Sequence, residues 1–207
     1  GGAGGAGRAG AFGSSSTKIK ELLEAAREGD LEALKRIVDG KGGVLSKFSS
    51  RPNLNCSDIR GKTALIYAAA FGHKEVVEYL LTKAREVSVN AVDDTQKNAL
   101  HHASKRARNR RTPECDAVQP EIIAMLLQGG VFLEARDHNG CTALMFAVAN
   151  GDEAVVKQLL TSRANVQVKD FEGHSPLDYA REFGHAGVEQ LLLGAGAGAG
   201  LEPEADG

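Results

Sequence analysis

The densest concentration of reactive side chains lies between residues 101 and 115. His101 and His102 stand side by side, followed by Lys105, Arg106, Arg108, Arg110 and Arg111, then Cys115. Adjacent imidazoles beside a thiol are raw material for a zinc site or a Cys–His nucleophile. A structural zinc site needs a second Cys/His pair at ligand spacing, and Cys56, Cys115 and Cys141 are scattered singly. No catalytic residue, metal ligand or cofactor is therefore assigned, and no Gly-rich phosphate loop follows a strand.

The basic block, "KRARNRR", packs five cations into seven positions of a chain whose formal net charge is −2. Three uses fit it: a nuclear-import or nucleic-acid patch, a contact for an acidic or phosphorylated protein segment through the bidentate geometry of Arg, or a solvated insertion. Nucleic acid is disfavoured, because without these five charges the remainder stands at −7. Aromatic residues are 5% with no Trp, too few for a base-stacking platform.

With 207 residues, 42% hydrophobic and 25% charged, the chain is long and apolar enough for one domain with a real core. An odd number of dispersed cysteines argues against a disulfide framework and for a reducing compartment, cytoplasmic, or nuclear if the basic block is an import signal. No apolar run approaches the roughly 20 residues of a membrane helix, and no secretory signal is present, so no membrane contact is expected. The sequence opens on Gly rather than Met and reads as a fragment or processed product. Its ends, residues 1–16 and 194–207, are Gly/Ala-rich and read as flexible coil outside the fold.

Between them the sequence repeats. "DIRGKTALIYAAAFGHKEVVEYLL" from Asp58 aligns with "DHNGCTALMFAVANGDEAVVKQLL" from Asp137 and "DFEGHSPLDYAREFGHAGVEQLLL" from Asp170; a divergent copy, "DDTQKNALHHASKRA", starts at Asp93. "LLEAAREGDLEALKRIV" matches the helical part alone and reads as a cap unit over 17–57. In each unit Asp-x-x-Gly predicts a tight turn, with Gly supplying the positive φ. Thr63, Thr142 or Ser175 then caps a short helix, Pro176 fits a first helical turn, and Gly72, Gly151 or Gly184 ends that helix left-handed. A second helix follows, with Val76, Val77, Leu80 and Leu81 at helical spacing. One such pair cannot bury both faces alone, so units must stack. Gln96 replaces the turn Gly of the third unit and Asn98 its Thr, predicting a distorted turn. The interval from Asp93 to Asp137 is 11 residues longer than the 33 from Asp137 to Asp170, which places an insertion at about 106–119, between two helices. Without a helix-ending Gly, where Ala107 stands instead, the first helix of this unit is expected to run on through Asn109 or further before Thr112–Pro113 stops it.

These units resemble ankyrin repeats, of pattern D-x-x-G-x-T-P-L-H-x-A-A-x-x-G-H followed by an apolar helix and a loop; "SPLDYAREFGH" and "TALIYAAAFGHKEVVEYLL" carry the resemblance most clearly. It covers 17–193 and implies an all-α solenoid of about five units, a monomeric, non-catalytic scaffold that binds another protein on its concave side. Carried over by position, the turn tips are Ile59, Arg60 and Lys62; Asp94, Thr95 and Lys97; His138, Asn139 and Cys141; Phe171, Glu172 and His174. The first-helix face adds Ala70 and Phe71, Lys105 and Arg106, Ala149 and Asn150, and Glu182 and Phe183. Phe71 and Phe183 either anchor a partner or lie against a neighbouring helix. His101 falls at the structural His of the pattern, and His73 and His185 at a turn-stabilising one. Asn55 and Asn90 match the loop Asn that hydrogen-bonds across the hairpin loop, replaced by Glu134 and Gln167 elsewhere. The apolar "VEQLLL" near the end lacks the polar outer face of a terminal cap, so further structure is expected to pack there.

Overall fold

In the computed structural model the described residues are 10–39, 53–83, 85–105 and 113–198. They form ten helices and, among the described residues, no strand beyond an isolated bridge between Ser57 and Thr63. The helices pair as α1 (Gly10–Glu28) with α2 (Leu31–Asp39), α3 (Ala64–Phe71) with α4 (Lys74–Thr82), α5 (Ala99–Lys105) with α6 (Pro113–Gln128), α7 (Ala143–Asn150) with α8 (Glu153–Thr161), and α9 (Pro176–Glu182) with α10 (Ala186–Gly198). The first helices of successive pairs pack on one another from α1 to α9, and the second helices likewise from α2 to α10. The result is a two-layer all-α solenoid of five helix pairs.

Residue size explains the layering. The first helices bury small side chains such as Ala64, Ala68, Ala99, Ala103, Ala143 and Ala147, which lets their backbones approach closely. The second helices supply the branched bulk, with Val76, Val77, Leu80, Ile122, Ile123, Val155, Val156 and Leu159 almost fully buried in one continuous core. Gly72, Gly151 and Gly184 leave the first helices at φ of 81°, 66° and 70°, as the pattern requires.

Each turn is built around its Asp. Asp58 Oδ1 accepts the N–H groups of Arg60 and Lys62, and the same pair of bonds recurs at Asp93, Asp137 and Asp170. The third turn is not distorted. Gln96 adopts φ 61° and donates to the Asp93 carbonyl at 2.9 Å, just as Gly61 at φ 76° donates to Asp58 at 3.1 Å. Asp93 holds Gln96 in this left-handed state, at a backbone cost of about 1–2 kcal/mol. Successive turns are stitched together by Asp94 N–H to Arg60 O, His138 N–H to Thr95 O and Phe171 N–H to Asn139 O.

Capping follows the pattern with one exception. Thr63 Oγ1 accepts from Ile66 N, Asn98 Oδ1 from His101 N, and Ser175 forms a reciprocal capping box with Asp178. Thr142 makes no cap bond, and its hydroxyl oxygen is buried without a hydrogen-bond partner.

The drawn boundaries shift at both ends. The limit at residue 16 falls inside α1, which begins at Gly10, and the limit at 193 falls inside α10, which continues to Gly198. Buried Leu22 and Leu192 anchor these helices, and extending an established helix fixes one residue for one new hydrogen bond. Leu193, in the "VEQLLL" stretch, is 49% exposed.

Part of the expected insertion, about 106–119, is helical. Arg106 to Thr112, including the expected extension of α5, lie outside the described residues. From Pro113 the chain is helical, with Pro113 at the start of α6 and Pro120 within it. Gln119 is fully buried, and its Nε2 donates to Ala103 O at 2.8 Å and to Ala69 O at 3.3 Å. Once the 11 extra residues are discounted, Gln119 aligns with His73 and His185. Those rings also reach back to the preceding unit, His73 Nε2 to Arg27 O at 2.8 Å and His185 Nε2 to Ala149 O at 3.2 Å. The expected turn-stabilising histidines thus couple neighbouring units, and Gln119 takes over that duty in the third.

Candidate partner-binding surface

In the second and fifth units four side chains stand in register, one, nine, thirteen and fifteen residues on from the turn Asp: Ile59, Tyr67, Phe71 and His73, and Phe171, Tyr179, Phe183 and His185. The ninth-position side chain closes the turn. Tyr67 donates to Asp58 Oδ2 at 2.6 Å, His102 Nε2 to Asp93 Oδ2 at 2.7 Å and Tyr179 to Asp170 Oδ2 at 2.8 Å. The fourth unit has Phe146 there and no donor. Lys97, reaching in from the third unit, supplies the missing charge: its Nζ lies 3.0 Å from Asp137 Oδ2, 3.1 Å from Thr95 Oγ1 and 5.5 Å over the Phe146 ring. Asp137 Oδ2 makes no directional hydrogen bond, so this contact is ionic.

The turns set the local electrostatics. Burial pushes Asp93 upward, but the Thr95 hydroxyl, the Lys97 N–H and the His102 ring outweigh it and hold its pKa at about 2. Asp58 and Asp170 are lowered by the same balance of burial against tyrosine and backbone donors. Burial, reinforced by the Asp58 carboxylate, pushes Tyr67 up to about 12. Burial lowers both His101 and His102, favouring neutral imidazoles. His101 Nε2 lies 3.1 Å from the Cys141 carbonyl, and Nδ1 lies 2.7 Å from Asn98 Oδ1 and 3.3 Å from Asn98 N. That arrangement is a structural bridge between the third and fourth units and leaves no free ring nitrogen. Among the described residues no group of three or more His, Cys, Asp or Glu converges as metal ligands would.

The structure sorts the expected contact residues. Arg60, His138, Phe171 and Phe183 are exposed, as are Asp94, Glu172, His174 and Glu182. Lys62 is half-buried with Nζ 6.0 Å from the Tyr67 ring, and Lys105 is exposed with Nζ 5.6 Å from the Phe146 ring. Asn150 is half-buried and donates to Ser104 O at 3.0 Å. Two assignments are corrected. Lys97 is 8% exposed and committed to Asp137, and Cys141 is 7% exposed with Sγ 3.6 Å from the Tyr179 hydroxyl, so neither is offered to a partner. Arg106, Arg108, Arg110 and Arg111 lie outside the described residues.

Phe71 and Phe183 pack in aromatic rows of their own units, and Phe71 also lines a groove with Arg27 and Glu28 of α1. Phe71 sits between Tyr67 at 6.2 Å and His73 at 6.3 Å; Phe183 sits between Tyr179 at 6.2 Å and His185 at 6.4 Å. One edge of each row faces solvent. Two adjoining grooves run beside the first row, one lined by Ile19, Leu23, Ile59 and Tyr67, the other by Arg27, Glu28, Phe71 and His73. Sequence reasoning misses these rows because Tyr67 and Tyr179 read as ordinary helix residues; the fourfold register is the signal that could have found them.

The side chains of the loop asparagines reach the loop of the next unit. Asn55 Nδ2 donates to Glu86 O and its Oδ1 accepts from Ser88 N; Asn90 bridges Gly130 O and Phe132 N in the same way. Glu134 retains half of this, accepting from Asn165 N at 2.9 Å.

A family model described as ankyrin repeats (three copies) matches residues 22–112 and 114–202. The human mitochondrial disaggregase is 29% identical over 195 residues, covering 82% of this chain and 25% of that protein. The Drosophila melanogaster E3 ubiquitin-protein ligase Ufd4 is 31% identical over 125 residues, 60% of this chain and 4% of the ligase. The human transient receptor potential cation channel subfamily A member 1 is 27% identical over 141 residues, 68% of this chain and 12% of the channel. The chain thus spans a quarter or less of the length of these relatives.

Proposed function

The chain belongs to the ankyrin-repeat family, and from that premise we propose that it is a non-catalytic module that binds another protein on the face built from its turn tips and first helices. Ankyrin repeats generally mediate protein–protein interaction. The observation that carries the proposal here is the exposure of apolar side chains at the turn tips: Ile59 is 101% and Phe171 71% exposed, each beside an aromatic row. Exposed aromatic and aliphatic side chains grouped on one face are what a partner's desolvation can use. The module works in a reducing compartment, where Cys56 and Cys141 stay unpaired. No helix among the described residues is long and apolar enough to cross a membrane.

A second reading has its own support. The named relatives include a disaggregase, a ligase and a channel, each much longer than this chain. The module then serves as the interaction or regulatory part of such a larger protein, by the same face.

The test is affinity capture from nuclease-treated cell extract with three forms of the chain. These are wild type, a charge-reversed face (Arg60→Glu, Lys62→Glu, His138→Glu), and a block variant with Lys105, Arg106, Arg108, Arg110 and Arg111 all changed to Ala. Proteins held by wild type and by the block variant but lost from the reversed face support the proposal. Loss with the block variant alone moves recognition to the insertion, towards an acidic or phosphorylated segment. Equal capture by all three refutes both.

A further inference from the structure

Units two and five present the same four-residue set. Ile59, Tyr67, Phe71 and His73 in one correspond, position for position, to Phe171, Tyr179, Phe183 and His185 in the other. The two rows agree in geometry as well, with ring separations of 6.2 and 6.3 Å against 6.2 and 6.4 Å. Units three and four break the set. Their turn tips are the exposed polar Asp94 and His138, and the ring of Phe146 lies beneath the ammonium groups of Lys97 and Lys105. Lys105 is exposed at the end of α5. The face therefore reads apolar, polar with an exposed cation, apolar.

Resting on the protein-binding reading above, we propose that the partner contributes one extended segment with an apolar side chain near each end and an anionic residue between. One end docks on the row of unit two, in the grooves against α1, and the other on the row of unit five; the anion meets Lys105. Reach sets the spacing. Packed helices lie about 8–10 Å apart, so the three steps from α3 to α9 span roughly 24–30 Å. An extended chain covers that in about 7–9 residues. A helical segment of the same reach needs about 16–20 residues and brings an apolar side chain to the middle units at every turn, where Asp94 and His138 would meet it.

A displayed library of random peptides about twelve residues long, enough to cover the span, tests this on the intact chain. The expected enriched sequences share two apolar positions about seven to nine residues apart with Asp or Glu between them. A synthetic consensus peptide is then measured by fluorescence anisotropy. Phe71→Ala and Phe183→Ala each weaken it about tenfold, the size of one well-packed anchor, and Lys105→Ala weakens it while removing its salt dependence. The exposed tip substitutions Ile59→Ser and Phe171→Ser repeat the comparison where loss of folding is not at issue. A consensus with one apolar position, binding indifferent to either row, or no enrichment at all overturns the two-anchor inference. If that happens while extract proteins are still lost from the charge-reversed face, the binding module stands and only its ligand class is wrong.

Discussion

Replacing Lys97 by Met tests whether one unit repairs the electrostatics of the next. In the native chain Asp137 is 3% exposed and Lys97 8% exposed, and the ion pair between them, at 3.0 Å, is the only charge compensation on Oδ2 among the described residues. Met keeps the apolar stem but strands a buried carboxylate. Removing one partner of a buried pair costs about 3–5 kcal/mol, far more than an exposed pair would. The second substitution, Phe146→Tyr, restores the hydroxyl that serves Asp58 at 2.6 Å and Asp170 at 2.8 Å. In the Lys97→Met background it should return about 1.5–3 kcal/mol, the worth of a hydrogen bond to a charged group. Urea unfolding followed by far-ultraviolet circular dichroism gives the four free energies of the cycle, and the coupling between the two sites should exceed about 1 kcal/mol. Stability of Lys97→Met within about 0.5 kcal/mol of wild type, the range of an ordinary surface change, refutes the reasoning. Failure of Phe146→Tyr to recover any of the loss refutes the transfer of the turn geometry from the second and fifth units.

Gln96→Gly should stabilise the chain by about 1 kcal/mol, since it relieves a left-handed φ of 61° on a residue with a Cβ; thermal melting reads the sign directly. Gly151→Ala should act the other way. Its φ is 66° and its new Cβ would lie 2.6 Å from His185 Nδ1, so a loss of about 2 kcal/mol is expected in the same melt. Acid should destabilise the fold in two stages. His101 and His102 have folded pKa values below their unfolded one, so their stabilisation is complete above about pH 6.5 and falls as pH drops below it. Asp93, at about 2 when folded, adds up to about 2 kcal/mol above the normal carboxylate range, lost between about pH 4 and pH 2. Midpoints in urea across that range check the sign; a midpoint rising on acidification contradicts it.

Much of this architecture is local and therefore written in the order of residues. The Asp-x-x-Gly turn, the hydroxyl cap and the helix-ending Gly each act over four or five positions, so each unit can be located from its own letters. The small first helix and branched second helix likewise declare which face must be covered, and a repeated unit that cannot cover itself must stack. Residue type alone does not say which partner each side chain finds. Lys97 stands at a turn tip and reads as exposed, yet the neighbouring Phe146 leaves a carboxylate that draws it inward. Gln119 reads as part of an insertion, but α6 carries it back to the carbonyls of Ala69 and Ala103, 50 and 16 residues away. The two aromatic rows share one face only because three helix-to-helix steps carry the same register from unit two to unit five. Sequence determines what each unit must bury and how it must turn, because those demands are met within a few bonds. Tertiary structure decides which charges and rings meet across units, because desolvation is settled by neighbours distant in the chain.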